Sequence, residues 1–173
     1  MNLILRCAAI LAFGAASVLP AAAMDMGTGV TMTKVNGPYK IELQLLPAEP
    51  FYTKAQYDSE HPKDGMLVVG GATPMEPNAA AHPNHHLIVH VFDAKSGNAL
   101  TNATVAIRYA ATGKPARSLP IVEMQAIGKG PQSTHYGNNL NLPDGTYDVT
   151  VTVNGTVTSF TVAAKAAAGA MKM

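Results

Sequence analysis

Residues 146–163, TYDVTVTVNGTVTSFTVA, decide the fold class of this chain. In this stretch two runs of threonine, valine and aromatic residues lie on either side of Asn154-Gly155. Alternating β-branched and aromatic residues favour half-buried strands, and Asn-Gly tolerates the positive φ angles of a type I′ turn. The stretch therefore predicts an antiparallel hairpin of two strands.

Comparable runs recur along the rest of the chain between glycine, proline and asparagine signals, and no long helical stripe interrupts them. Short strands at such intervals are typical of sandwiches and barrels. The sequence therefore predicts an all-β, immunoglobulin-like β-sandwich of seven to eight mainly antiparallel strands. The predicted strands are Tyr39–Leu46, Met66–Gly70, His85–Asp93, Ala103–Ala110, Leu119–Ile127, Tyr136–Leu142, Thr146–Asn154 and Thr156–Ala163.

Residues 1–23 have the pattern of a cleaved secretory signal peptide. Arg6 precedes the apolar run Cys7–Val18, and Ala21–Ala23 supply the small residues of a cleavage site. The run is shorter than the roughly 20 residues of a membrane span, so we expect export to the periplasm without stable membrane insertion. The mature chain is predicted to consist of a flexible segment (24–37), the sandwich (38–163) and a flexible tail (164–173).

The mature chain is expected to have balanced charge and no cysteine. The full chain contains 12 Lys and Arg against 11 Asp and Glu, and both Arg6 and the only cysteine, Cys7, leave with the signal peptide. Without a basic surplus, nucleic acid and anionic membrane surfaces are poor partners. Without cysteine, neither a disulfide nor a thiol ligand is available.

Four of the six histidines fall within His82–His90. Because side chains alternate along a strand, His85 begins a face that is otherwise apolar and suits the core, whereas His86 and His90 share the other face. Four residues of strand separate the Cα atoms of His86 and His90 by about 13 Å, which does not suit one shared metal ion. One of them together with a neighbouring strand makes a better site. The alternative is a polar strand face without a ligand.

A second group of candidate ligands lies downstream and consists of Glu123, Met124 and His135. A thioether suits Cu(I), imidazole suits many transition metals, and a carboxylate adds tolerance for iron. The alternative is that Met124 only fills the core and that His135 only begins a strand.

The run His135-Tyr-Gly-Asn-Asn139, followed by Gly145-Thr-Tyr147 and taken with His86-Leu87 and Met124, resembles the periplasmic iron-transport protein family. That family consists of small secreted immunoglobulin-like proteins that bind copper and iron and serve an iron permease. The resemblance implies a protein that captures and delivers copper or iron and is not an enzyme. Its implied partners are metal ions, a second copy in a homodimer and an inner-membrane metal permease. The candidate ligands are His86, Met124 and His135, with His90, His85 and Glu123 in second rank.

The sequence departs from the family pattern in two respects. The family has a glutamate two residues after the strand histidine, where this chain has Ile88, and the interval from Met124 to His135 is longer than the pattern. Loss of the carboxylate favours copper over iron. Glu76, Glu123 and His90 are the residues that could replace it, and the sequence does not choose among them.

Two other functions compete with metal delivery. An immunoglobulin-like sandwich can serve as a metal-free interaction module of the cell envelope, since fold alone does not determine function. An enzyme similar to the copper/zinc superoxide dismutases would need a His-x-His pair and usually a disulfide, and the mature sequence has neither. The sequence also lacks a nucleophile elbow, a His-Glu-x-x-His motif and a phosphate-binding glycine loop.

Overall fold

The structure is a computed structural model that describes residues 29–71 and 82–165. Within these two ranges it contains eleven strands, the helix α1 (Lys54–Glu60) and a 3-10 turn (Pro131–Ser133). The strands are β1 Val30–Asn36, β2 Tyr39–Pro47, β3 Phe51–Tyr52, β4 Met66–Gly71, β5 His85–Asp93, β6 Val105–Ala111, β7 Arg117–Leu119, β8 Val122–Ala126, β9 His135–Leu140, β10 Gly145–Val153 and β11 Thr156–Ala164.

The strands form two sheets that face each other. The larger sheet has the order β1-β2-β5-β9-β8-β4-β3, and the smaller has the order β11-β10-β6-β7. The short β3–β4 pair is parallel, and the other strand pairs are antiparallel. The predicted all-β sandwich is confirmed. The described ranges contain more strands than the seven to eight expected, because β1, β3 and β7 were not predicted from the sequence.

The predicted hairpin is confirmed as β10 and β11. Val153 pairs with Thr156, and both turn residues have positive φ, 46° at Asn154 and 87° at Gly155. The valines of β10 are buried, whereas several of the threonines and Asp148 face outward. The alternation in the sequence therefore sets which face of this hairpin lies against the larger sheet.

The main core lies between the two sheets, and we call the faces that form it the inner faces. The larger sheet contributes apolar side chains of β2 and β5, and the smaller sheet contributes those of β6, β10 and β11. Full burial of one such side chain stabilises the fold by about 1.5–3 kcal/mol. The fully buried aliphatic residues of this core include Ile41, Leu43, Leu87, Val89, Val91, Val151 and Val153.

The expectation of a flexible segment over 24–37 is wrong for residues 30–36, which form β1 and pair with residues 39–45 of β2. β1 also reaches the smaller sheet, because Lys34 Nζ donates to the Ser159 carbonyl at 2.6 Å and Asn36 Nδ2 donates to the Val157 carbonyl at 2.9 Å. Most of β1 is exposed, so its sequence lacks the buried apolar face by which other strands are recognised.

The limits of the described residues decide which other predictions the structure addresses. The predicted signal peptide (1–23) and the rest of the flexible segment up to residue 28 lie outside them. The predicted tail begins at Ala164, which is instead the buried last residue of β11, and residues 166–173 lie outside. In the ranges 29–71 and 82–165, no helix is long and apolar enough to cross a membrane.

The larger sheet is strongly curled about its outer face. β2 and β3 are five strand positions apart, which is about 24 Å in a flat sheet. Only four Cα steps join Pro47 to Phe51, and they span at most about 15 Å. The β4 and β3 side of the sheet must therefore bend back toward β2 and β5. A register shift between Val68 and Gly70 of β4 marks a bulge on this side, and bulges increase local bending.

A second, smaller apolar cluster occupies the outer face within this curl. Its buried members are Ile88, Val122 and Met124, and Leu46, Phe51, Met66 and Val68 pack against them. The cluster lies on the side of the larger sheet that faces away from the smaller one. The curl therefore encloses a part of the outer face that a flat sheet would expose to water.

Candidate metal centre

The alternation of β5 places the histidines on different faces, as the sequence predicts. Leu87, Val89 and Val91 are buried in the main core, so His86, Ile88 and His90 project from the outer face. Ile88 is a member of the outer apolar cluster. His86 and His90 therefore share the face that the curled sheet encloses.

Strand pairing brings residues of β8 and β9 to the same face. Met124 pairs directly with His135, Ile88 with Gly137, and His86 with Asn139. Continuation of the β5–β9 register by one residue places His90 opposite His135. Opposite residues on one face of an antiparallel pair have Cβ atoms about 4.5–5.5 Å apart, so Met124 and His90 flank His135.

The imidazole of His135 is in ring contact with two other histidines. The ring centroid of His135 lies 5.8 Å from that of His86 and 5.1 Å from that of His90. His86 and His90 do not meet directly, in agreement with their separation along the strand, and His135 stands between them. We call His86, His135 and Met124 the site cluster, with His90 at its margin.

Gly137 allows β9 to pack closely against β5 beside the site cluster. It lies between His135 and Asn139 on the outer face of β9, opposite Ile88 of β5. A Cβ atom at this position would lie 2.0 Å from the Leu87 carbonyl oxygen and 2.8 Å from Ile88 Cα. Only glycine fits between β5 and β9 here.

Three imidazole nitrogens of the site cluster are buried without a hydrogen-bond partner: both nitrogens of His86, and Nε2 of His135. The exposed fraction of the side chain is 0% for His86 and 1% for His135. An unsatisfied buried polar group costs about 1–3 kcal/mol, and proteins rarely leave such groups unpaired. These nitrogens have the environment of groups that receive a ligand.

Backbone carbonyls fix the tautomers of His135 and His90. The Nδ1 atom of His135 lies 2.8 Å from the Ser133 carbonyl oxygen, and that of His90 lies 3.2 Å from the Thr134 carbonyl oxygen. Because a carbonyl oxygen only accepts, the proton is on Nδ1 and the Nε2 lone pair is free in both rings. Such a hydrogen bond orients a metal-binding histidine.

Burial keeps the site histidines neutral. Burial, followed by the proximity of His135, lowers the pKa of His86 to about 3, and burial lowers the pKa of His135 to about 4. The Asn139 side chain raises the pKa of His86, although it lies outside hydrogen-bonding geometry with either ring nitrogen. Burial also lowers the pKa of His90. Neutral imidazole is the form that binds a metal ion.

A short stretch of chain, residues 47–53, covers the site cluster, and we call it the covering segment. The Phe51 ring packs edge-on against His86, with centroids 5.3 Å apart. Asn139 holds the same segment, because its Nδ2 donates to the Glu49 carbonyl at 2.7 Å and its Oδ1 accepts from the Glu49 amide at 3.2 Å. The segment leads into α1, which has a capping box at Thr53 but no buried residue.

Asn139→Ala is expected to loosen the covering segment. It removes two hydrogen bonds to Glu49, which together contribute about 1–3 kcal/mol. Hydrogen exchange should become faster at the amide of Glu49 in this variant. Asn141→Ala is the matched control, since the Asn141 amide makes only a 3.4 Å contact with the His82 carbonyl. Equal exchange at Glu49 in both variants would contradict this role.

His85 and Glu123 do not reach the site cluster. The ring nitrogens of His85 lie 2.7 Å from Asn84 Oδ1 and 3.1 Å from the Lys165 carbonyl oxygen. Glu123 Oε1 accepts from the Asn102 amide at 3.1 Å. Each of the two residues is next in sequence to a site residue, so strand alternation turns its side chain to the opposite face. Glu76 lies outside the described residues.

The site cluster is a set of two imidazoles and a thioether. In residues 29–71 and 82–165, no three His, Cys, Asp or Glu side chains stand close enough together to hold a metal ion. The rings of His86 and His135 are in contact, and Met124, which is fully buried, lies opposite His135 in the β8–β9 register. A carboxylate, Glu42, lies on the same outer face but on β2, the strand on the other side of β5 from β9. It stands opposite His90 in the β2–β5 register and accepts a hydrogen bond from Gln44 at 2.6 Å.

No protein-family model, curated protein or solved structure matches this chain. The resemblance to the periplasmic iron-transport family therefore stays a prediction, carried by residues 135–139 and the strand histidine His86.

Three residues that shape the site were not assigned a role from the sequence: Gly137, Asn139 and Phe51. Gly137 and Asn139 belong to the His-Tyr-Gly-Asn-Asn run, so a signal was present in the sequence. A glycine inside a strand often marks a close approach of another backbone. Phe51 carried no such signal, because its contact with His86 depends on the curl of the sheet.

Proposed function

We propose that this protein binds a transition-metal ion, preferentially copper, at His86, His135 and Met124, and captures and delivers that ion in the periplasm. The observation that supports the proposal is the set of three buried imidazole nitrogens without a partner. Two of the nitrogens belong to His86 and one to His135, and the rings are adjacent.

A purely structural role explains these histidines poorly. Phenylalanine or leucine would fill the same apolar space without the cost of unpaired polar groups, which is about 1–3 kcal/mol for each group. The hydrogen bond from His135 Nδ1 to the Ser133 carbonyl leaves the Nε2 lone pair of that ring available to a ligand. A bound metal ion would satisfy the free nitrogens.

The donor set favours copper over iron. Imidazole and thioether donors suit copper, whereas iron in mixed sites generally uses a carboxylate. Ile88 occupies the position between His86 and His90 where the periplasmic iron-transport family, which this chain resembles, has a glutamate. Glu123 is turned to the other face, so it does not replace that carboxylate. Iron remains the second candidate through the family resemblance.

Capture and delivery fit this donor set better than catalysis. The two imidazoles are buried and the thioether lies in an apolar cluster, so a bound ion would be shielded from substrates. The resemblance adds an inner-membrane metal permease as the recipient and a homodimer as the working form. The predicted signal peptide over 1–23 supports a periplasmic location.

The proposal predicts that His86→Ala and His135→Ala each weaken copper binding by at least about tenfold, or about 1.4 kcal/mol. The measurement is a titration of the purified metal-free protein with copper ions, followed by competition with a chelator of known affinity. His82→Asn is the matched control, since His82 is exposed and lies outside the cluster. Unchanged affinity in both alanine variants, with folding verified by circular dichroism, would refute the proposed site.

A further inference from the structure

We infer that the site cluster selects a monovalent soft ion, Cu(I), over Cu(II) and Fe(II). This inference rests on the proposed function and concerns the charge and oxidation state of the bound ion. It follows from three properties of the site: the charge of its donors, its exclusion of water and the type of its donor atoms.

The donors of the site carry no charge. His86 and His135 are neutral imidazoles, and Met124 contributes a neutral thioether. Glu42 of β2 lies opposite His90 in the strand register, two strands away from His135, and its carboxylate accepts a hydrogen bond from Gln44. An ion bound by neutral donors keeps its full charge. The cost of burying a charge rises with its square, so a monovalent ion is far less costly to enclose than a divalent one.

The donors of the site are enclosed mainly by apolar side chains. His86 and Met124 are fully buried, and Phe51, Ile88 and Val122 form apolar walls around them. The Asn139 amide group is engaged on both of its atoms by Glu49. Cu(II) and Fe(II) complete their coordination with oxygen atoms of water, carboxylates or carbonyls, whereas Cu(I) accepts two or three soft donors without water.

The donor atoms match a soft ion. A thioether is a soft ligand and selects Cu(I) among the biological metals. Met124 lies directly opposite His135 across the β8–β9 pair. A second thioether, Met66, packs against the apolar cluster that contains Met124. Sulfur is thus concentrated on the side of the site opposite His90.

The test compares ions and isolates the sulfur atom. The metal-free protein is titrated under nitrogen with the Cu(I)–bicinchoninate complex, with Ag(I) as a redox-inert substitute, and separately with Cu(II) and Fe(II). Met124→Leu keeps the side-chain volume and removes only the thioether. Met32→Leu is the matched control, because Met32 is a half-buried methionine of the edge strand β1. Thermal unfolding verifies that both variants remain folded.

The expected result is that the wild-type protein binds Cu(I) and Ag(I) more tightly than Cu(II) and Fe(II). Met124→Leu should weaken Cu(I) and Ag(I) binding by at least about tenfold and leave Cu(II) binding within about twofold. The Met32→Leu variant should match the wild type. Together these three results would support the inference.

Three results would overturn it. Cu(II) binding that equals Cu(I) binding and depends on His86 and His135 would refute the selectivity and leave the proposed metal site in place. Unchanged Cu(I) affinity in Met124→Leu would refute the role of the thioether. If none of the four ions binds, both the inference and the proposed function fail.

Discussion

Gly137→Ala is expected to lower the free energy of unfolding by about 3 kcal/mol or more, one of the largest effects of a single methyl group in this chain. The added Cβ would lie 2.0 Å from the Leu87 carbonyl oxygen, 2.8 Å from Ile88 Cα and 2.9 Å from Ile88 Cγ2. Two of these three atoms belong to the backbone of β5, so rotation of a side chain does not relieve the contact. The β5–β9 pairing has to open locally.

The matched control is Gly145→Ala. Gly145 is also a strand glycine, but a Cβ there would meet only Tyr147 Cε2 at 3.8 Å, an ordinary contact. Urea unfolding of both variants provides the measurement, with the control expected within about 0.5 kcal/mol of the wild type. A Gly137→Ala variant as stable as Gly145→Ala would show that β5 and β9 are not packed as closely as described.

A strand of this protein was predictable from the sequence where its inner and outer side chains alternate clearly or where a turn is determined by its own residues. β5 has the predicted limits, His85 and Asp93, and its inner and outer faces follow the alternation of the sequence. The hairpin turn at Asn154-Gly155 is equally local, because its backbone angles depend on the two turn residues themselves. In these elements pattern and turn chemistry agree, so little information from the rest of the chain is required.

Two of the missed elements, β1 and α1, have no buried face of their own. β1 is an edge strand with mainly exposed residues, and α1 has seven residues and none buried. The capping box of Thr53 and Gln56 was a usable signal for the start of α1. The curl of the larger sheet had no local signal, since it results from the order of strands that are distant in sequence.

The site cluster, too, was predictable from the sequence only in part. Alternation alone separates Glu123 from Met124 and His85 from His86, so the two residues that do not reach the cluster were identifiable from the sequence. The contact of His135 with both His86 and His90 was not, because it requires the register of β5 against β9. Spacing along one strand argues against a site made from His86 and His90 alone, and His135 comes from the neighbouring strand β9.

Acid is expected to destabilise the metal-free protein well above the range in which most carboxyl groups titrate. Burial lowers the pKa of His86 to about 3 and that of His135 to about 4 from an ordinary value near 6.5. Above pH 6.5 both histidines are neutral in the folded and unfolded chains, and their contribution to stability is complete. Below pH 6.5 the unfolded chain takes up protons that the folded chain does not, so stability falls as the pH decreases toward 4.

Each histidine contributes a slope of about 1.4 kcal/mol per pH unit, so the pair removes up to about 4 kcal/mol between pH 6.5 and 5. His90, whose pKa is also lowered by burial, adds to the slope. Glu49, whose pKa burial and Asp64 raise, opposes this slope, because its carboxylate takes up a proton in the folded chain before it does in the unfolded chain. The measurement is urea unfolding in the presence of a chelator at pH 7.5, 6.5, 5.8 and 5.

The variant His86→Leu separates the contribution of the site from a general acid effect. It removes one buried titrating group, so the pair's contribution to the slope below pH 6.5 should fall by about half, whatever the absolute stability of the variant. His82→Asn removes an exposed histidine and should keep the wild-type slope. If both variants keep that slope, His86 is charged or solvated in the folded protein. Its two ring nitrogens would then not be the buried, unpaired groups on which the proposed metal site depends.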